Sequence, residues 1–330
     1  MSRFNNASKV ILASASVLAL SATLAACGSD SKSSSDGGAV RMAFVNGFSG
    51  GGPVDDFIAG LTCYADQNDL DKPVITVADG DVNKQLNDID SLIARSGQID
   101  GLFVMPVDPA ALKPAYERAR KADLAVIDPV SPDAEGKFAT DASSHVAPDD
   151  AGVPALLVKY LTDEHADVKR VALLSPPPGQ PMSDQRASLF KKEAAAAGIE
   201  VARELNMDKI TTEEAQKKVE DLLTSDKSVD AIFAQNGAMA RGAALAAKSQ
   251  GVDLVIISID SDGETLAAVK SGDIDATFGA DLFNLAYQSS VQAEKIKAGE
   301  KVDFLSLPYQ AYTSANAEVP SAAERCAAVK

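Results

Sequence analysis

Short apolar runs of three to six residues alternate, through most of this chain, with longer segments whose apolar residues recur every three or four positions. The short runs are Met42–Asn46, Val74–Val77, Gly101–Met105, Ala125–Ile127, Val171–Leu174, Ala231–Ala234, Leu254–Ile259 and Ala276–Phe278. They predict strands buried on both faces, because a strand with one wet face would alternate polar and apolar residues. Between them, Asp56–Asn68, Lys84–Arg95, Ala110–Lys121, Asp184–Ala197, Glu213–Thr224 and Met239–Ser249 carry helical spacing, with Gly60, Gly198 and Gly251 marking bends or helix ends. Such alternation predicts the α/β class, with parallel sheets covered on both sides. Two sets separated around Pro129–Asp150 predict two doubly wound parallel-sheet lobes. Ligands of open α/β sheets sit beyond the carboxyl ends of the strands, so the residues just after each strand are the first site candidates.

The amino-terminal forty residues follow a different pattern. Arg3 and Lys9 precede an apolar stretch from Val10 to Ala26, which is followed by Cys27-Gly28 and a Ser/Asp/Gly-rich segment. A basic start, a short apolar core and small residues before the junction predict a secretory signal over 1–26, not a spanning helix. Leu24-Ala25-Ala26-Cys27 resembles a bacterial lipobox, which implies lipidation at Cys27 and anchoring of the domain to the cell membrane from outside the cytoplasm. Two or three acyl chains, at about 0.8 kcal/mol per buried methylene, hold a protein durably. Residues 27–40 then form the lipidated cysteine and a flexible tether.

Composition narrows the function classes. The chain carries a formal charge of −16, and cleavage after Ala26 would remove Arg3 and Lys9 but no acid, taking it to −18. Such a surface disfavours nucleic acid as a partner and confines membrane contact to the lipid. With two histidines and three cysteines, and no Cys/His cluster, neither a metal site nor a cofactor is expected. In an oxidising compartment, Cys63 and Cys326 are candidates for a disulfide, the alternative being two separate thiols.

The residues after the strands carry a family resemblance. Asp79-Gly80-Asp81-Val82-Asn83, Gly97-Gln98-Ile99-Asp100-Gly101 running on to Pro106-Val107-Asp108, and Ile127-Asp128 look like the first lobe of type I periplasmic binding proteins, ribose/galactose branch. Ile232-Phe233-Ala234-Gln235-Asn236, Ile257-Ser258-Ile259-Asp260 and Ile274-Asp275-Ala276-Thr277 resemble its second lobe. The resemblance implies a non-catalytic protein whose lobes close through a three-segment hinge on one solute, a sugar or polyol, for an ABC importer. It implies an amino-terminal lobe over 41–142 plus 281–312, a carboxyl-terminal lobe over 143–280 and a tail over 313–330. A monomer is expected.

Carried over by position, Asp128, Asn236 and Asp260 stand where the family accepts hydrogen bonds from sugar hydroxyls, the alternative for each being a cap on the following helix. The family's later ligand arginine aligns with Asp184, with Arg186 nearby, and its last-strand glutamine is Ala280 beside Asp281. Its cleft aromatics correspond to Pro53 and Val54, which leaves Phe48 as a stacking face or a core residue. Two rival readings remain. One is a ligand sensor for a membrane signalling partner. The other is a serine hydrolase, since Gly47-Phe48-Ser49-Gly50-Gly51 matches the G-x-S-x-G elbow with Ser49 as nucleophile.

Overall fold

The run Met42–Asn46 forms β1 and feeds two cores: Met42 and Phe44 enter one, Ala43 and Val45 the other. These features belong to a computed structural model of the chain, which describes residues 38–48, 52–132 and 136–329. The leader, Cys27 and Ser49 lie outside the described residues.

The first sheet runs β11 (Leu305–Leu307), β5 (Ser144–Pro148), β4 (Ala125–Asp128), β3 (Gly101–Met105), β1, β2 (Val74–Val77), every neighbour parallel. Helices α1 (Gly52–Gln67) and α9 (Leu282–Lys297) cover one face, and α2 (Val82–Ile93) and α3 (Pro109–Lys121) the other. Gly60 is where α1 and α9 approach most tightly, since a Cβ there would lie 2.1 Å from the Phe283 carbonyl oxygen.

The second sheet runs β12 (Tyr309–Thr313), β10 (Ala276–Ala280), β9 (Val255–Ile259), β8 (Ala231–Ala234), β6 (Arg170–Ser175), β7 (Glu200–Asn206). Its faces are covered by α4 (Val153–Glu164) and α5 (Pro181–Ala196) on one side, and by α6 (Thr212–Ser225), α7 (Gly237–Gln250) and α8 (Gly263–Ser271) on the other. The chain passes between the sheets from β5 to α4, from β10 to α9, and from β11 to β12. The expected two doubly wound lobes are present.

The lobe boundaries differ from the expectation at two places. Ser144–Pro148 pairs with β4, so the first crossing falls after Pro148 and not at 143. Tyr309–Thr313 pairs antiparallel with β10, so this strand belongs to the second lobe, not the first, and the tail begins after Thr313. Tyr309–Thr313 is an edge strand with one paired side, whereas Ser144–Pro148 lies between β4 and β11 but begins with polar residues, so neither carries a long apolar run. Beyond the tail's turn, α10 (Ala322–Ala328) lies against α1, and Cys326 is joined to Cys63 with Cα atoms 5.6 Å apart.

Candidate functional site

The carboxyl ends of β8 and β9 bring Asn236 and Asp260 side by side. Asn236 is the N-cap of α7, its side-chain oxygen accepting from the Ala238 N–H at 2.9 Å, while its amide nitrogen donates to Asp260 Oδ2 at 2.8 Å. The same oxygen accepts from the Gly237 N–H at 3.0 Å. Asn236 thus caps α7 and, with the Gly237 N–H, orients the Asp260 carboxylate.

Asp260 sits at φ 124°, a conformation that costs a non-glycine residue about 1–3 kcal/mol and persists only where its surroundings enforce it. Its N–H donates to the Phe278 carbonyl at 3.1 Å, and its own carbonyl accepts from the Thr277 hydroxyl. Burial raises its pKa, against the opposing pull of the Gly237 N–H. Among the described residues no cation lies within ion-pair distance of it.

Arg186, on the second turn of α5, reaches the same region. Its Nε and Nη2 donate to Asp150 Oδ1 at 2.9 and 2.5 Å, and the Tyr309 hydroxyl donates to that oxygen at 2.7 Å. Arg186 and Asp150 are 12% and 3% exposed. Burial alone would lower the arginine's pKa, but Tyr309 and the Asp150 carboxylate outweigh it and keep the guanidinium charged. Asp150 lies on the first crossing and Tyr309 directly after the third, so this cluster fastens the hinge to α5.

Arg186, Asn236 and Asp260 line one cavity of about 1050 Å³, which also touches Pro148 and Tyr309 at the crossings and Asp56 on α1. At that size it lies just above the range, about 300–1,000 Å³, usual for small-molecule sites.

The other candidates are placed elsewhere. Asp128 does not point into the cavity: it is fully buried, with Thr140 donating to Oδ2 at 2.5 Å and His145 Nδ1 facing Oδ1 at 2.6 Å. Its carboxylate is consumed by structure, and its charge adds to the burial that raises the Tyr116 pKa. Asp184 is exposed and accepts from the Gly179 N–H at 3.1 Å. Asp281 caps α9 through the Asn284 N–H at 2.9 Å, flanked by cavity-lining Ala280 and Leu282 but not itself on the wall. Phe48 is 47% exposed just after β1, so it is not a core residue, and it does not line this cavity. Sequence reasoning missed Asp150 and Tyr309. The pair Asp149-Asp150 directly after a strand would have been the signal, had β5 been recognised.

Two doubly wound lobes joined by three crossings, with polar acceptors gathered at the strand ends beside the crossings, define a two-lobed solute-binding protein. A family model described as periplasmic binding protein domain matches residues 42–301, and the chain belongs to that family. Membership implies an extracytoplasmic domain, and no described helix is long and apolar enough to cross a membrane.

Among its relatives is the ribose import binding protein of Bacillus subtilis, 28% identical over 231 residues, which are 70% of this chain and 73% of the relative. Among solved structures, a periplasmic ribose ABC transporter protein from Conexibacter woesei superposes with a TM-score of 0.77 at 22% identity, covering 88% of this chain and 98% of its own. A solute-binding protein from Bacillus halodurans with bound myo-inositol gives 0.69 at 22% identity, covering 86% and 97%. The relatives are binding proteins and not enzymes, which removes the hydrolase reading of Ser49.

Proposed function

We propose that this chain is a lipid-anchored binding protein that encloses one sugar or polyol between its lobes and delivers it to an ABC importer. The observation that carries the reading is the Asp260–Asn236 pair on the cavity wall, a set of acceptors without a cation of its own. Arg186, which lines the same cavity, is already committed to Asp150. A wall of this kind suits a ligand that donates from hydroxyls, while an anion would meet an uncompensated carboxylate. The names of the relatives point the same way: one is named for ribose import, another holds myo-inositol, and both ligands are rings of hydroxyl groups.

In this reading Arg186, Asn236 and Asp260 bind from the second lobe. Phe48, exposed beyond β1, stacks from the first when the lobes close about the three crossings. Contacts made only in the closed form are what shift the equilibrium toward it. Asp128, Asp184 and Asp281 stay in the structural roles described above.

A thermal-shift screen against D-ribose, D-xylose, myo-inositol and ribose 5-phosphate tests the ligand class. At a hundredfold excess over Kd, a neutral ligand adds about 2.7 kcal/mol of stability. The expected result is such a shift with one neutral compound and none with the phosphate. Tight binding of the phosphate would overturn the reading.

The anchor is tested separately. Cys27→Ala is expected to abolish incorporation of labelled fatty acid, and label retained on that variant would remove lipidation from the proposal.

A further inference from the structure

The three crossings are not the full set of links between the lobes. After β12 the chain leaves the second sheet and returns to the first lobe as a strap. Its near end is fixed to the second lobe: Ala317 is buried in the core beneath α7 and α8, and Glu318 forms an ion pair with Lys270 of α8. Its far end is fixed to the first lobe by the Cys63–Cys326 disulfide. Arg325 adds to that anchor through an ion pair to Asp56 at 2.6 Å, and its guanidinium lies 4.7 Å from the Phe283 ring centroid. Gln67 donates to the carbonyls of Cys326 and Val329. Between the two anchors lie only Val319, Pro320 and Ser321 before α10 begins.

The strap also forms part of the cavity. Residues from Ala317 to Ala322, with Arg325, face the same space as Asn236 and Asp260, and Asp56 faces it from α1. The strap therefore spans from one wall of the ligand cavity to the other.

We propose that this strap is a fourth, covalently closed connection that walls the ligand cavity and limits how far the lobes open. Four Cα steps separate Glu318 from Ala322, and at about 3.3–3.6 Å per residue they reach at most ~14 Å. The helical stretch from Ala322 to Cys326 adds about 6 Å at 1.5 Å per residue, so the anchors cannot part beyond ~20 Å while the disulfide holds the far end and the Ala317 core and Lys270–Glu318 pair hold the near one. Proline in the linker restricts it further. With the disulfide broken, the far end keeps the Arg325–Asp56 pair, the Arg325–Phe283 contact, the Gln67 hydrogen bonds and the packing of residue 326 and Val329 on the first-lobe core, none of them covalent, so it can detach. The open form then gains population, and apparent affinity falls in proportion to the closed fraction that is lost.

The test uses two variants of the protein. Cys63→Ser/Cys326→Ser releases the far anchor. A second variant keeps the disulfide but inserts four Gly/Ser residues after Pro320, so that folding is not at stake if the first is unstable. Small-angle scattering of the ligand-free protein is expected to give a larger radius of gyration for both variants than for the wild type. Calorimetry with D-ribose and myo-inositol is expected to give a Kd raised roughly three- to tenfold for whichever compound binds the wild type. An unchanged radius of gyration in the insertion variant overturns the strap. The binding arm rests on the sugar reading, but the scattering arm does not. If neither compound binds the wild type, the sugar reading fails and scattering still decides the strap.

Discussion

Asp150→Ala is expected to destabilise the protein by about 3–5 kcal/mol, the range for removing one partner of a buried ion pair. A single oxygen of Asp150 takes two guanidinium hydrogen bonds from Arg186 and the hydroxyl of Tyr309, with both charged groups almost wholly buried. Without the carboxylate, Arg186 keeps its charge and loses its partner, and the Tyr309 hydroxyl is left unmet. Tyr309→Phe provides the scale: it deletes the hydrogen bond to Asp150 and the longer one from Arg186 at 3.4 Å but no charge, and is expected to cost about 1–2 kcal/mol. Urea unfolding of the two variants beside the wild type measures both. A loss below about 1 kcal/mol for Asp150→Ala would mean that Arg186 had swung to Asp260, whose field it already feels, and that the cluster is not what fastens the hinge.

The paired-sheet architecture was legible because parallel strands covered on both faces must be apolar throughout. Met42–Asn46, Gly101–Met105 and Ala231–Ala234 satisfy that rule and appear with the bounds their composition predicts. The elements that escaped are those the rule does not govern. Glu200–Asn206 is an edge strand, nearly half of it charged and exposed, and Ser144–Pro148 begins with two buried polar residues, of which His145 faces Asp128 seventeen residues away. Tyr309–Thr313 is antiparallel, so nothing in a βαβ pattern announces it. Misplacing Ser144–Pro148 and Tyr309–Thr313 shifted both lobe boundaries.

The candidate site was legible to the same degree and for the same reason. Asn236 and Asp260 follow strands that were recognised, and they meet in the cavity. Asp128 also follows a recognised strand, yet Thr140 and His145 turn its carboxylate inward, and no local pattern encodes partners twelve and seventeen residues away. Arg186 was identified only as a neighbour of Asp184. Helical geometry decides between them: two residues apart on α5 they face different ways, and Asp184 goes to solvent near the helix start while Arg186 turns to the hinge.

Asp260→Asn is expected to weaken ligand binding by about 1.5–3 kcal/mol, roughly 10- to 150-fold in Kd, while leaving the ligand-free protein as stable as before or more so. The two effects have opposite signs because the carboxylate is held where the fold alone would not place it. Burial raises its folded pKa above the unfolded value, so its ionisation opposes folding. That penalty is absent below the unfolded pKa, grows as pH rises toward the folded pKa and stays in full above it. The amide removes the charge, and its oxygen can still accept from Gly237 and Asn236, so the local hydrogen bonds survive. Binding has the reverse dependence: the anionic acceptor is lost as pH falls through the raised pKa. Wild-type affinity should therefore decline on acidification at a higher pH than an ordinary aspartate would set, and Asp260→Asn should lack that acid limb. Calorimetric titration of both proteins from neutral to acidic pH, beside their urea midpoints, separates the outcomes. A variant that lost stability and affinity together would make Asp260 a structural residue. One that kept its affinity would move the ligand to another part of the cavity.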